Sequence, residues 1–482
     1  MSDDYQSGKI TKNTGYLIAS YIGQNFLSFI FFIILARFLG VEDLGKYVFA
    51  FSFATLFSIA VDLNLSQVLT REIAKFKDKA ENYLNNIIAF KLITAALTYL
   101  TVVLLINFLN YPDLTKILVY LTGLVMILDS FSLTFYGALR GIQNLKFEAL
   151  STIYGQLIII SLGTVALFLG LPLPVLIVIY ILASLFKFIY SFWQVKKNLR
   201  VKFRPNLDKS ILKLLFALAL PFALAGIFNR VFYYTDTIFL SKLIGDVAVG
   251  IYSIAYKLTY SLQFIPAALG AALFPAMSSF YLTSPENLKK SFEKSFLYLS
   301  FIALPITFGT IALAPELIKT LYSEKYLEAI LPLQLLIMAV IFIFLNYPIG
   351  SLLNACDRQK ANTFNVGIAM AANIILNIIL IPRFSYVGAA ISGLVSQTLW
   401  FVLGLYQANK LIKIDKKMLG RKTALIFLSA VIMFFMIVMF KKVNWLLAGG
   451  FSTIFYLMLI IVFRVIKIVE IKELISTVIK KT

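Results

Sequence analysis

Apolar runs alternate with short polar breaks along the whole chain. Fourteen of them reach the roughly 20 predominantly apolar residues needed to cross a hydrocarbon core about 30 Å thick. They lie at 15–38, 46–63, 84–109, 116–138, 148–170, 175–193, 214–240, 248–275, 295–317, 330–353, 362–381, 386–408, 423–440 and 445–463. The pattern predicts an all-α polytopic membrane protein with about 14 transmembrane helices. The polar opening, 1–14, lacks the charged, apolar and small-residue regions of a removable signal, so the first span is expected to stay. One polar break keeps a helical period of its own. Leu69, Ile73, Phe76 and Ala80 recur among Arg71, Lys75, Lys77 and Lys79, which predicts a basic amphipathic helix over Ser66 to Tyr83 lying on the inner leaflet.

Charge adds an orientation. Only 14% of the 482 residues are charged and 60% are hydrophobic, yet 44 basic residues face 23 acidic ones, a net +21. On a soluble chain that excess would indicate nucleic acid; at this hydropathy it indicates membrane lipid and an anionic substrate, with no nucleic-acid partner. With the N-terminus inside, 31 basic residues fall in inner segments, eight in outer segments and five within spans. The positive-inside rule therefore places both termini in the cytoplasm. The outer segments are short, the longest being about a dozen residues around Tyr322 to Ala329, which leaves no room for an external catalytic domain. The chain has no histidine and a single cysteine, Cys356, which excludes His-based catalysis, His or Cys zinc sites and an intrachain disulfide. No phosphate-loop motif is present. A transporter without a metal or cofactor is expected, not an enzyme.

An internal repeat organises the spans. Arg37-Phe38-Leu39-Gly40, Gly45, Tyr47 and Ala50 recur at an offset of 205 as Lys242-Leu243-Ile244-Gly245, Gly250, Tyr252 and Ala255. Both copies read as a tight outer turn whose glycine takes positive φ. A weaker echo pairs Leu139 to Lys146 with Leu353 to Lys360 at an offset of 214. Six spans separate the copies, so the halves point the same way: two parallel six-helix bundles about an axis normal to the membrane, as in rocking transporters. The expected division is an N-terminal bundle over 1–195, a basic cytoplasmic linker over 196–213, a C-terminal bundle over 214–409, and two additional helices with a cytoplasmic tail over 410–482.

Charges within spans are the candidate chemistry, because an unpaired charge in hydrocarbon is expensive. Arg37 and Lys242 sit at outer helix ends as interface anchors. Lys91 and Lys187, within two turns of the inner face, are expected to snorkel. Arg230 and Lys257 lie deeper and are the candidates for a hydrated substrate cavity, with pairing to Asp236 or Asp129 as the alternative. Asn229 and Arg230 align with Gln24 and Asn25 at the 205 offset, which suggests a polar site between the bundles; interhelical hydrogen bonding is the plainer reading. Asp236, Asp129 and Asp62 are candidates for coupling an ion, with Asp62 near enough to Arg71 and Lys91 for a simple ion pair. Pro221, Pro266, Pro305 and Pro348 fall inside spans 7 to 10, and no proline interrupts spans 1 to 6, so the second bundle is expected to bend more.

Several segments resemble the polysaccharide flippases, the O-antigen and teichoic-acid type exporters of the superfamily that also holds lipid II flippases and multidrug extruders. In the second half these are Leu353-Asn354-Ala355-Cys356-Asp357-Arg358-Gln359-Lys360, Asn373, Leu376-Asn377, Ile381-Pro382 and Val387-Gly388-Ala389-Ala390. In the first half, Asp62-Leu63-Asn64-Leu65 and Arg71-Glu72-Ile73-Ala74 resemble the family's Asp-Leu-Gly-Leu and Arg-Glu-Ile-Ala motifs. Asn64 stands where the motif has glycine, a mild departure because Asn tolerates left-handed φ. The resemblance implies transfer of a polyprenyl-linked oligosaccharide from the inner to the outer leaflet of a prokaryotic plasma membrane, by alternating access, with H+ or Na+ as an optional partner. A lipid II flippase and a cation-coupled drug exporter of the same fold are the alternatives. A membrane glycosyltransferase or glycan polymerase would need an acid/base constellation and a sizeable outer loop, which the chain lacks.

Overall fold

The computed structural model describes residues 2–465, without the side chains of 2–14, 18, 221–222 and 271–272. The predicted tail beyond Val465, with Lys467, Lys472, Lys480 and Lys481, and the side chains of Lys9, Lys12 and Pro221 lie outside the described residues. The fold is all-α. In order, the helices are α1 (Ser2–Phe38), α2 (Val41–Asp62), α3 (Leu65–Lys75), α4 (Ala80–Phe108), α5 (Asp113–Gly141), α6 (Lys146–Phe168), α7 (Leu173–Leu199), α8 (Lys209–Leu243), α9 (Asp246–Tyr260), α10 (Phe264–Thr283), α11 (Pro285–Tyr322), α12 (Ile330–Ala355), α13 (Gln359–Ile412), α14 (Lys416–Phe440) and α15 (Trp445–Val462).

Twelve segments are long and apolar enough to span a bilayer, and the bent α8 makes a thirteenth crossing. The fourteenth comes from α13. Its 54 residues would be about 80 Å long as one helix, far more than a bilayer needs. The chain reverses at Ser385, at φ 51 and ψ −135. Asn365 and Gln407 exchange side-chain hydrogen bonds of 3.1 and 3.0 Å although 42 residues separate them. The legs are packed so tightly at the reversal that a Cβ on Gly388 would lie 2.4 Å from the Leu380 carbonyl oxygen. The fourteen predicted spans are thus present.

Spans that are apolar all round bury one face against protein and turn the other to lipid. In α4, Leu84, Ile87, Val102 and Ile106 are buried, whereas Leu92, Leu97, Leu100 and Leu104 are exposed. The chain forms two compact units, 1–241 and 242–482. The core of the first gathers Val61, Leu69, Leu84, Phe135, Leu139 and Val195. It also includes Leu215 and Ala219 of α8, so this helix, seventh in the span count, belongs with the first unit. The core of the second gathers Phe292, Leu299, Phe344, Leu352 and Ala408 with Met433 and Tyr456 of α14 and α15. Tyr456 donates to the Phe301 carbonyl (2.8 Å) and Lys441 to that of Ala312 (2.9 Å), which fastens the last two spans to α11.

The segment expected to lie on the inner leaflet packs its apolar face on protein. After Asp62 the chain passes through two left-handed residues, Leu63 (φ 46) and Asn64 (φ 58), and resumes as α3. The apolar face of α3 is covered by α5: a Cβ at Gly137 would meet the Ser66 carbonyl oxygen at 2.5 Å, and one at Gly141 would meet Ile73 at 2.7 Å. Thr70 seals the contact by donating to the Gly137 carbonyl at 3.0 Å. An apolar stripe records that a helix needs an apolar partner, and here two glycines let that partner be protein. Helical structure also stops at Lys75, followed by a short 3-10 turn, Lys77–Lys79.

The repeat is visible in the backbone, with one correction. Gly245 takes positive φ (122), but Gly40 is extended (φ −70, ψ 159), so only the second copy uses glycine's freedom. The weaker echo is the stricter one. Asn144 N–H donates to Leu139 at 2.9 Å and Arg358 N–H to Leu353 at 2.8 Å, around Gln143 (φ 58) and Asp357 (φ 57). The helices α5–α6 and α12–α13 therefore turn alike, through left-handed C-caps of the Schellman kind. Among the prolines, α8 is bent by 53° between Leu220 and Ala223, around Pro221. Pro266 lies in the first turn of α10, where its missing N–H has no helical partner to lose. Pro305 and Pro348 lie inside α11 and α12, and none interrupts α1–α6.

Candidate functional site

Three clusters gather charged side chains in the first unit. In the first, Lys91 is fully buried, so it does not snorkel as expected. Its ammonium meets Asp62 Oδ1 at 2.5 Å, Thr134 Oγ1 at 2.6 Å and the Ser130 carbonyl at 2.8 Å. Three N–H groups find three acceptors, which offsets the cost of taking the charge out of water. Asp62 also accepts from Ser66 Oγ at 2.5 Å. The break at Leu63–Asn64 makes this possible by setting Ser66, the second residue of α3, beside the last residue of α2.

In the second cluster Lys187 binds Asp129 at 2.6 Å, so it too is paired where snorkelling was expected. Its stem runs over Gly155, whose Cβ position is 3.1 Å from Lys187 Cγ and Cδ. A side chain on α6 there would push the lysine off its path to α5. Two of the three acids proposed for ion coupling, Asp62 and Asp129, thus already hold an internal cation.

The third cluster was not singled out from sequence. Arg140, counted as a loop charge, makes a two-pronged ion pair with Glu148, Nε to Oε2 at 2.7 Å and Nη2 to Oε1. Tyr21 on α1 donates to Glu148 at 2.6 Å and accepts from Arg140 at 3.1 Å. Glu148 is 2% exposed. The cluster ties α1 to the α5–α6 corner. The signal that could have found it is the 214 offset, which maps Arg140 and Glu148 onto Asn354 and Asn362. Those two also meet, Asn362 Nδ2 to Asn354 Oδ1 at 3.4 Å. The same corner carries an ion pair in the first unit and an amide pair in the second.

The predicted cavity residues are distributed as follows. Asn229 and Arg230 are half-buried on α8, and Asn229 donates to the Ala225 carbonyl of its own helix at 2.7 Å. Arg230 has no carboxylate partner among the described residues. Gln24 is half-buried and Asn25 exposed on α1, and no hydrogen bond joins these four residues to one another among the described residues. Asp236 is buried on α8 between Thr235 and Thr237. Lys257 is half-buried in the last turn of α9, in the second unit. No cluster of potential metal ligands occurs among the described residues. The second unit buries an amide pair: Asn377 donates to Asn373 at 3.0 Å.

Comparison with known proteins places this geometry. A family model described as a polysaccharide biosynthesis protein matches residues 10–281, and a MatE model matches residues 211–379. A capsular polysaccharide biosynthesis protein of Staphylococcus aureus, CapF, is 24% identical, covering 80% of this chain and 96% of that one. A putative O-antigen transporter of Shigella flexneri is 22% identical, covering 78% and 91%. Among solved structures, a lipid II flippase, MurJ, in an inward closed conformation is similar with a TM-score of 0.74 at 18% identity, covering 92% of this chain and 98% of that one. At that identity the likeness is one of fold.

Proposed function

Because the chain belongs to the polysaccharide biosynthesis protein family, whose members are membrane transporters and not enzymes, we propose that it flips a polyprenyl-phosphate-linked oligosaccharide from the inner to the outer leaflet. The observation that carries the substrate class is an arginine within a span of the first unit. Lys91 and Lys187 neutralise Asp62 and Asp129, while Arg230 has no carboxylate partner among the described residues. An arginine so placed favours a phosphate or pyrophosphate over a cationic drug, which would seek carboxylates.

In this reading Arg230 and Lys257, with Asn229, Gln24 and Asn25, engage the head group during alternating access, and the prenyl tail stays in lipid. The membrane is a prokaryotic plasma membrane and both termini are cytoplasmic, in keeping with the 31 basic residues of the inner segments. With a negative interior, exporting two negative charges is favoured by about 4.6 kcal/mol at 100 mV, so voltage alone suffices as a drive. If H+ or Na+ is coupled, Asp236 is the acid to examine first, since coupling through Asp62 or Asp129 must displace a lysine.

The test is export in cells. Loss of the protein should leave a lipid-linked glycan on the inner leaflet, and Arg230→Gln and Lys257→Gln should each reproduce that state with normal membrane insertion. Wild-type export by both variants removes these residues from the mechanism; extrusion of a cationic drug without glycan accumulation overturns the substrate class.

A further inference from the structure

The connection between α7 and α8 is longer than the fold requires. It takes nine residues, 200–208, whereas the second unit joins α13 to α14 with three, 413–415. The extra length is not slack. Lys202 N–H donates to Glu81 Oε2 (3.2 Å), Asn85 Nδ2 donates to the Lys202 carbonyl (2.9 Å), Arg204 N–H donates to Asn85 Oδ1 (3.1 Å), and Asp208 N–H donates to Asn86 Oδ1 (2.6 Å). Asn85 and Asn86 are buried in the first turns of α4 and grip the strap as a neighbouring strand would. The strap alternates accordingly. Val201 is buried and the Phe203 ring packs, tilted, on Phe192 with centroids 4.4 Å apart, while Lys202 and Arg204 are exposed.

Glu81 follows directly on the exposed Lys75, Lys77 and Lys79, so the strap's cations join those lysines on one face. Two exposed aromatics frame it: Trp193 with the Lys197 ammonium 5.3 Å from its ring centre, and Phe76 with that of Lys79 at 5.3 Å. Acids do not cancel it. Over 196–213 there are seven basic residues and one acid, Asp208, whose carboxylate is occupied by Ser210 and Ile211. Of the nearby acids, Glu81 is engaged by the strap backbone and Asp78 stands alone among three lysines. Rigid cations beside aromatics suit the headgroup layer, where Trp anchors and basic side chains meet lipid phosphates.

We propose that Lys77, Lys79, Lys202 and Arg204, framed by Phe76 and Trp193, form a binding site for the phosphate headgroups of anionic phospholipid in the leaflet this face meets, and that Asn85 and Asn86 hold its cations in register. The site differs from a diffuse basic loop in that removing the clamp, with every charge kept, disables it. Because the strap ends at Asp208, the cap of α8, bound lipid also steadies the start of that helix.

The full-length protein in neutral detergent, titrated with phosphatidylglycerol or phosphatidylcholine, tests this by retained lipid in native mass spectrometry and by thermal shift. Phosphatidylglycerol should be retained and should raise the melting temperature, and phosphatidylcholine should do neither. The variant K77Q/K79Q/K202Q/R204Q should lose at least tenfold in phosphatidylglycerol affinity, given about fivefold per surface cation. N85A/N86A should also weaken binding, by a smaller factor. The proposal is overturned if the quadruple variant binds as wild type, if phosphatidylcholine equals phosphatidylglycerol, or if folded N85A/N86A keeps full affinity; should N85A/N86A not fold, the charge variant decides. Displacement of phosphatidylglycerol by equimolar prenyl pyrophosphate would make the ridge a substrate dock and overturn the phospholipid assignment.

Discussion

Lys91 Nζ and Asp62 Oδ1 are 2.5 Å apart in the core of the first unit, with the lysine side chain wholly buried and the aspartate 8% exposed. Breaking one side of such a pair strands the other charge, at a cost of about 3–5 kcal/mol, whereas removing both is far milder. Lys91→Met is therefore expected to destabilise the protein severely, and Lys91→Met with Asp62→Asn to recover most of the loss. Denaturation in detergent across the four-protein cycle measures this. Additive effects would mean that the two side chains do not depend on each other.

The two outer turns should respond differently to the same change. Gly245→Ala forces a Cβ onto φ 122, a conformation costing about 1–3 kcal/mol for other residues. Gly40 is extended and no atom lies within 4 Å of its Cβ position, so Gly40→Ala should be close to neutral. Comparing melting temperatures of the two variants decides it; equal losses would sink the distinction.

At the reversal of α13 the constraint is steric. A Cβ on Gly388 would meet backbone, Leu380 O at 2.4 Å and Leu380 C at 2.6 Å, so the neighbour cannot swing aside as a side chain would. Gly388→Val should cut the yield of monodisperse protein sharply, while Gly420→Val, where no atom lies within 4 Å, should not. Equal yields would argue against the tight hairpin.

The α5–α6 corner offers a swap that the protein itself has already made. Arg140→Gln alone leaves Glu148 buried without its cation and should cost about 3–5 kcal/mol. Arg140→Asn with Glu148→Asn, copying Asn354 and Asn362, should restore most of that stability. Thermal unfolding of both variants is the measurement, and a double variant no better than the single one would contradict the equivalence.

Asp208 caps α8 and carries a pH signature. Its carboxylate accepts from the Ser210 hydroxyl, the Ser210 N–H and the Ile211 N–H, and these bonds hold its pKa below the ordinary aspartate value. A carboxyl depressed in the folded state stabilises it above the unfolded pKa, about 3.9, and loses that contribution as pH falls through the lower folded value. Hydrogen-exchange protection at Ser210 and Ile211 should persist from neutral pH to about 4 and decline only below that. Asp208→Ala should remove both the protection and its pH dependence. A decline that begins near pH 6 would point to another group.

How much of this was legible beforehand differs from residue to residue. The left-handed turn at Asn64 was readable, because Asn is the residue next to glycine in tolerance for that conformation, and the structure places it at φ 58. The α5–α6 and α12–α13 turns were readable as an echo. The fate of α3 was not. Leu69 and Ile73 called for an apolar partner, and nothing local distinguishes a lipid tail from the α5 surface. The Asp62–Lys91 pair was among the readings the sequence offered, but Lys187 was misread for a related reason: its acid is 58 residues away in sequence, so a lysine near a helix end looks the same whether it reaches for water or for Asp129.

The sequence by itself determined that the chain is all-α and carries fourteen apolar spans separated by breaks rich in basic residues. These follow from transfer of residues between water and lipid, a property each stretch carries alone. Tertiary structure decided which charges are spent internally, which glycine needs its freedom, and that the basic connection is a clamped strap. Those outcomes depend on where packing sets one helix against another, so the roles of Lys91 and Lys187 as partners of Asp62 and Asp129 emerge only from the fold.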